Sequence, residues 1–128
     1  EFIFNLPTNL QRLAVVDAPK LTSLCNDFPP RFAGLTELIL SGCKSLPEVQ
    51  LLNILDGDRC VNLRDVDLAD CHLLTRLPNP FPSKVERLVL SRCTGLTQLP
   101  DLREDSLYRL DVDGCTSLGN LSTDRPSK

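Results

Sequence analysis

Apolar residues recur along the chain in one phrase, L-x-x-L-x-L-x-x-C-x-x-L. It reads Leu35-Leu38-Leu40-Cys43-Leu46, Leu63-Val66-Leu68-Cys71-Leu74, Val85-Leu88-Leu90-Cys93-Leu96 and Leu107-Leu110-Val112-Cys115-Leu118. An earlier copy, Leu10-Leu13-Val15-Ala18-Leu21, has Ala in the Cys slot. Copies starting at 10, 35, 63, 85 and 107 give spacings of 25, 28, 22 and 22. A repeat of this length predicts a solenoid whose units bury their apolar faces against their neighbours. The L-x-L step alternates as a short strand does, with anchors inward and x residues outward. Stacked units then form a parallel sheet, and the Cys opens the turn that leaves it. A small, weakly polar thiol suits that buried corner.

The segments between copies differ. Leu6-Pro7, Leu77-Pro78 and Leu99-Pro100 close three units, and Pro80-Phe81-Pro82-Ser83 continues in the same vein. Proline fixes φ and lacks an N–H, so these return limbs are predicted to be extended. The longest limb runs from Pro47 to Asn62. There Val49, Leu51, Leu52, Ile54 and Leu55 share a helical face, and Gly57 is placed to end a short helix.

The pattern resembles the leucine-rich repeat family, over about 110 residues. That resemblance implies an α/β fold: a right-handed leucine-rich repeat solenoid with a parallel β-sheet on its concave face and mostly irregular or extended convex links. Leu96-Thr97-Gln98-Leu99-Pro100 looks like the short repeats of secreted bacterial effectors, some of which carry ubiquitin-ligase domains. Leu6-Pro7-Thr8-Asn9-Leu10 reads the same way. The Cys at the turn, as in Leu38-Ile39-Leu40-Ser41-Gly42-Cys43, looks like repeats of plant intracellular immune receptors. The bacterial type more often has Asn there, so Cys departs from it. The period of 22 and the Pro-rich links favour the bacterial type.

Composition adds bounds. A length of 128 residues fits one domain, residues 1–128, with about five repeats. The net charge of −3, from 14 basic and 17 acidic residues, gives no footprint for nucleic acid or an anionic membrane. No run of about 20 apolar residues exists to span a bilayer. The chain has no Met and opens in mid-repeat, so a longer parent protein is expected.

Cys43, Cys71, Cys93 and Cys115 occupy one repeat slot and should form a ladder of buried, reduced thiols. Parallel Cβ vectors suit disulfides poorly. Reduced thiols imply a cytosolic working compartment, including for a protein exported by a bacterium into a host cell. Cys25 and Cys60 fall out of phase and are expected to be partly exposed. Cys25-Asn26-Asp27 matches the C-x-D motif that effector ubiquitin ligases use for a catalytic thiol, but there it lies in a separate helical domain. No His or Lys beside Cys25 would lower its pKa, so it reads as a loop cysteine.

Little else points to chemistry. His72 is the single His and takes a surface slot, which supports neither a triad nor a metal site. Asp111-Val112-Asp113-Gly114 and Asp56-Gly57-Asp58 resemble pieces of calcium loops without the distal carboxylate, and read as turn and surface residues. Gly42 and Gly114 precede turn cysteines, where a permissive backbone is useful. Neither metal nor cofactor is expected, and this chain is not expected to be an enzyme.

The outward positions form columns. The first holds Arg12, Glu37, Asp65, Arg87 and Arg109; the second Ala14, Ile39, Asp67, Val89 and Asp111; the third Val16, Ser41, Ala69, Ser91 and Asp113. Repeat solenoids bind through such a face. Arg12, Glu37, Ile39, Asp65, Asp67, Arg87, Val89, Arg109 and Asp111 are therefore the candidate binding residues. Ile39 and Val89 would supply apolar contact, and Tyr108 stands at the rim as a further anchor. The functional expectation is a protein–protein recognition module: the target-binding segment of a bacterial effector, linked in its parent to a ubiquitin-ligase domain. A sensing segment of a plant intracellular immune receptor is the alternative, and a Cys-dependent enzyme a distant third. The partner's identity and the oligomeric state stay open.

Overall fold

The structure, a computed structural model, describes residues 9–24, 32–102 and 106–119. Five three-residue strands, β1 (Arg12–Ala14), β2 (Glu37–Ile39), β3 (Asp65–Asp67), β4 (Arg87–Val89) and β5 (Arg109–Asp111), form one sheet in the order β1-β2-β3-β4-β5. All neighbours pair in parallel, so each strand returns to the sheet beside its predecessor after one circuit. The result is a parallel-strand solenoid of about four turns with little helix.

Each strand centres on the second anchor of its unit, and these side chains point into the core. Leu38, Val66 and Leu88 are fully buried, as are Leu40, Leu68 and Leu90 two residues on. Burying a leucine contributes about 1.5–3 kcal/mol, so the ladder of anchors outweighs any single polar contact on the surface. Backbone pairing outlasts the strands. Asp17, Gly42, Asp70 and Arg92 donate their N–H groups to the carbonyls of Ser41, Ala69, Ser91 and Asp113. These residues, with Gly114, all have positive φ, between 56° at Asp17 and 82° at Gly42. Every unit thus leaves the sheet through one left-handed residue just before the turn slot. Glycine fills it twice, as expected; Asp17, Asp70 and Arg92 fill it against the usual preference.

The only helix among the described residues is α1 (Glu48–Ile54), in the longest link. Leu51, Ile54 and Leu55 are its buried face. Val49, assigned to that face from sequence, is 61% exposed and Leu52 is half-buried. Positions i, i+3 and i+4 counted from Leu51 exhaust the stripe that touches the core, and Val49 lies off it. The helix ends at its C-cap Leu55, whose N–H donates to the Leu51 carbonyl. Gly57 comes two residues later and has a different task. It packs against the backbone of Pro80 and Phe81, where a β-carbon would lie 2.9 Å from the Pro80 oxygen. Residues 74–78 and 96–100 are irregular and non-helical, as the proline pairs predict. The Leu6-Pro7 pair lies outside the described residues.

Candidate functional site

The strand register places the two outward columns as rows across the sheet. Arg12, Glu37, Asp65, Arg87 and Arg109 align as successive partners, and so do Ala14, Ile39, Asp67, Val89 and Asp111. All nine candidate residues therefore share one face.

Charges in the first row pair from rung to rung. Arg12 Nε lies 2.9 Å from Glu37 Oε1, and Arg87 Nη1 donates to Asp65 Oδ1 at 2.7 Å. The latter bond holds the Arg87 guanidinium further above its ordinary range. Beyond the row, Arg64 meets Glu86 at 3.2 Å. Arg92 grips both oxygens of Asp70 at 2.9 and 3.0 Å. The Arg92 bond pulls the Asp70 carboxyl below its ordinary value, with Lys44 and His72 adding to it. His72 Nε2 stands 3.7 Å from the same carboxylate. Exposed pairs of this kind contribute about 0–1 kcal/mol each. Their effect is to neutralise most of the row.

The second row differs. Asp67 and Asp111 each turn one carboxylate oxygen onto the backbone two residues ahead, accepting from Ala69 N–H and Asp113 N–H at 3.1 Å. Both thus fasten the strand to its turn. Among the described residues Asp67 forms no ion pair, and its row neighbour Ile39 is half-buried. Val89 corrects the expectation of a free apolar contact: it is 6% exposed. It sits in an interior strand, with Asp67 and Asp111 as its register partners on either side, so it has a neighbouring strand along both edges. Ala69 and Ser91 of the third column, on the interior units, are also buried, whereas Val16 at the sheet edge is 55% exposed. Tyr108 is 65% exposed, in keeping with a rim position.

The thiol ladder has a polar role as well as an apolar one. Cys43, Cys71, Cys93 and Cys115 are free and buried. Each thiol donates to a carbonyl of the preceding unit, at Val15, Leu40, Leu68 and Leu90, over 3.4, 3.5, 3.0 and 2.9 Å. The Leu40, Leu68 and Leu90 oxygens also accept from Cys43, Cys71 and Cys93 N–H, so both lone pairs are occupied. Burial pushes the Cys93 thiol up to about 12 and raises the other three. These groups are therefore neutral and unreactive near pH 7.

Cys60 overturns its expected exposure. It is fully buried, and its thiol donates to the Ile54 carbonyl at 2.7 Å, satisfying an oxygen at the end of α1. Burial pushes its pKa up to about 12. The missed signal is a slot three residues before the first anchor of a unit, filled by Phe32, Cys60 and Pro82, all buried. Cys25 and its C-x-D neighbours lie outside the described residues.

Lateral polar bonds were also invisible in the pattern. Glu48 accepts from the Thr75 N–H at 2.9 Å, the Arg76 N–H at 3.1 Å and the Thr75 hydroxyl. Gln50 accepts from Leu24 N–H, and Ser45 and Ser117 hydroxyls reach carbonyls of Pro19 and Thr94. Among the described residues no group of three or more His, Cys, Asp or Glu could hold a metal ion, and no helix is long and apolar enough to cross a membrane. No family model matches the chain, and no curated protein or solved structure matches it.

Proposed function

We propose that this chain is a protein-recognition module of the leucine-rich repeat type, which binds through the outer face of its sheet. One observation carries this reading: five parallel strands bring two rows of five outward side chains into a single register. A row of fixed pitch suits an extended protein segment better than a small molecule, which prefers a deep apolar pocket. The first row is largely self-neutralised, so specificity falls to the second. There Ile39 and Asp67, which forms no ion pair among the described residues, stand side by side, a combination suited to a partner with a basic group next to an apolar one. In the reading favoured by the repeat resemblance, the parent is a bacterial effector whose partner is a host protein. The plant-receptor alternative assigns the same rows to pathogen sensing.

The test is affinity capture of candidate partners with the wild type, with Ile39→Lys on the outer face and with Val49→Lys on the exposed side of α1. Loss of partners with Ile39→Lys but not Val49→Lys is expected. If Ile39→Lys kept every partner, the outer face would not be the binding surface.

A further inference from the structure

Strands β2, β3 and β4 have a neighbouring strand along both edges, so their backbone N–H and C=O groups are taken up in the ladder. The pairing continues past the strands. Leu40, Leu68 and Leu90 donate to the carbonyls of Asp67, Val89 and Asp111, and Gly42 and Asp70 to those of Ala69 and Ser91. What these interior units offer a partner on the outer face is therefore side chains. A segment lying there must satisfy its own backbone. An α-helix bonds its N–H and C=O groups internally, whereas an extended chain finds matching groups only at a sheet edge.

Spacing points the same way. Ile39, Asp67 and Val89 are register partners on successive strands, about 4.8 Å apart. A helix lying along that row brings one side chain over it per turn of about 5.4 Å, a mismatch of about 0.6 Å per rung. An extended chain repeats its side chains on one face about every 6.8 Å, a mismatch of about 2 Å per rung. Beside the row Ser41, Ala69 and Ser91 are short, which lets a helix approach it.

Building on the recognition reading above, we propose that the partner lays an α-helix along this row, with a Lys or Arg seated at Asp67 and an apolar residue one turn away on Ile39. Charge selects the basic residue. Elsewhere on the interior units Asp65 is matched by Arg87, Glu86 by Arg64 and Asp70 by Arg92. Asp67 forms no ion pair among the described residues, and its Oδ1 accepts from the Ala69 N–H, which fixes the carboxylate in the middle of the row. The row itself, Ala14, Ile39, Asp67, Val89 and Asp111, holds no cation to answer an acidic residue of the partner. On a helix the basic and apolar contacts fall three or four residues apart.

Display selection against the full chain from two libraries tests this. One randomises the exposed face of a helix in a rigid helical scaffold, the other linear peptides. Binders are measured against the wild type, Ile39→Lys, Asp67→Asn and Val49→Lys, each first shown to fold by circular dichroism. Asp67→Asn keeps an oxygen for the Ala69 N–H, so it removes the charge and not the turn bond. The helical library is expected to yield binders with Lys or Arg three or four residues from an apolar residue. Asp67→Asn should weaken them about tenfold, Ile39→Lys should abolish binding and Val49→Lys should leave it unchanged. Binders from the linear library alone, lost with Ile39→Lys, would overturn the helix while the outer-face reading stands. Helical binders indifferent to Asp67→Asn would overturn the basic contact. Binders that ignore Ile39→Lys would overturn the outer-face reading and this proposal with it. Failure of both libraries to yield a binder would overturn the proposal as well.

Discussion

Replacing Gly57 by Ala separates two effects of opposite sign. In a loop that can accept the side chain, Gly→Ala stabilises by about 0.4–1 kcal/mol, because the unfolded chain loses freedom. At Gly57 the new carbon would lie 2.9 Å from the Phe81 carbonyl carbon, 2.9 Å from the Pro80 oxygen and 3.0 Å from the Phe81 oxygen. Non-bonded carbons sit comfortably at roughly 3.5–4.0 Å, so the shortfall is about 0.6 Å or more. All three obstacles are backbone, and no rotamer change relieves them. Gly57 N–H also donates to the Pro80 oxygen at 3.0 Å, so moving the segments apart stretches that bond. Overpacking costs about 1–3 kcal/mol and a weakened hydrogen bond about 1 kcal/mol. Against a gain below about 1 kcal/mol, the net is a loss of about 1–3 kcal/mol. Gly119 is the control: among the described residues nothing lies within 4 Å of its added carbon, so Gly119→Ala should be neutral or slightly stabilising. Urea unfolding of the pair by circular dichroism reads both. If Gly57→Ala unfolded at the wild-type midpoint or above it, the close approach of the two links would be wrong.

Three more outcomes are expected. Leu68→Ala removes a fully buried anchor of the central strand and should cost about 2–5 kcal/mol by the same unfolding assay; a loss under about 1 kcal/mol would place Leu68 outside the core. Cys43, Cys60, Cys71, Cys93 and Cys115 should react with a thiol reagent at pH 8 only as fast as the chain unfolds, and readily once denatured; prompt native reaction at these sites would contradict their burial. Burial raises the Glu48 pKa, but its bonds from the Thr75 hydroxyl and N–H and the Arg76 N–H outweigh this and hold it below the ordinary value. A depressed carboxyl contributes stability above its unfolded pKa and loses it as pH falls through the folded one. Glu48→Gln should therefore lower stability at pH 7 and flatten its decline below about pH 4.5, the ordinary glutamate value; an unchanged acid limb in thermal melts would remove Glu48 from that account.

Much of the architecture was legible because the anchors repeat at fixed offsets. The outward columns built on Arg12 and Ala14 are the rows of the sheet, residue for residue. Periodicity gives direction, however, and not cover. Val89 holds an outward slot in the register, yet in its interior strand it is buried. Val49 fits an apolar list but not the narrow stripe that α1 turns to the core. Cys60 lies outside the repeating phrase because its slot precedes the first anchor of its unit, Leu63, by three residues. The ion pairs of the first row join positions 22 or 25 residues apart, so no window of local sequence shows them. Left-handed backbone at Gly42 and Gly114 was suggested by the residue type; at Asp70 and Arg92 only the shared slot reveals it.

From the first anchor to the turn slot, every unit counts the same eight steps: 10 to 18, 35 to 43, 63 to 71, 85 to 93 and 107 to 115. Variation in length falls entirely after the turn, in the links, one of which carries α1. The solenoid is thus divided into a segment intolerant of insertion and one that accepts it. Residues gained within the eight would rotate an anchor out of the core and misplace the left-handed step. Residues gained in a link would only enlarge the loop. This division makes copy number and loop length separately adjustable, so duplicating residues 85–106 in frame should extend the sheet by one strand without altering the register of those already there.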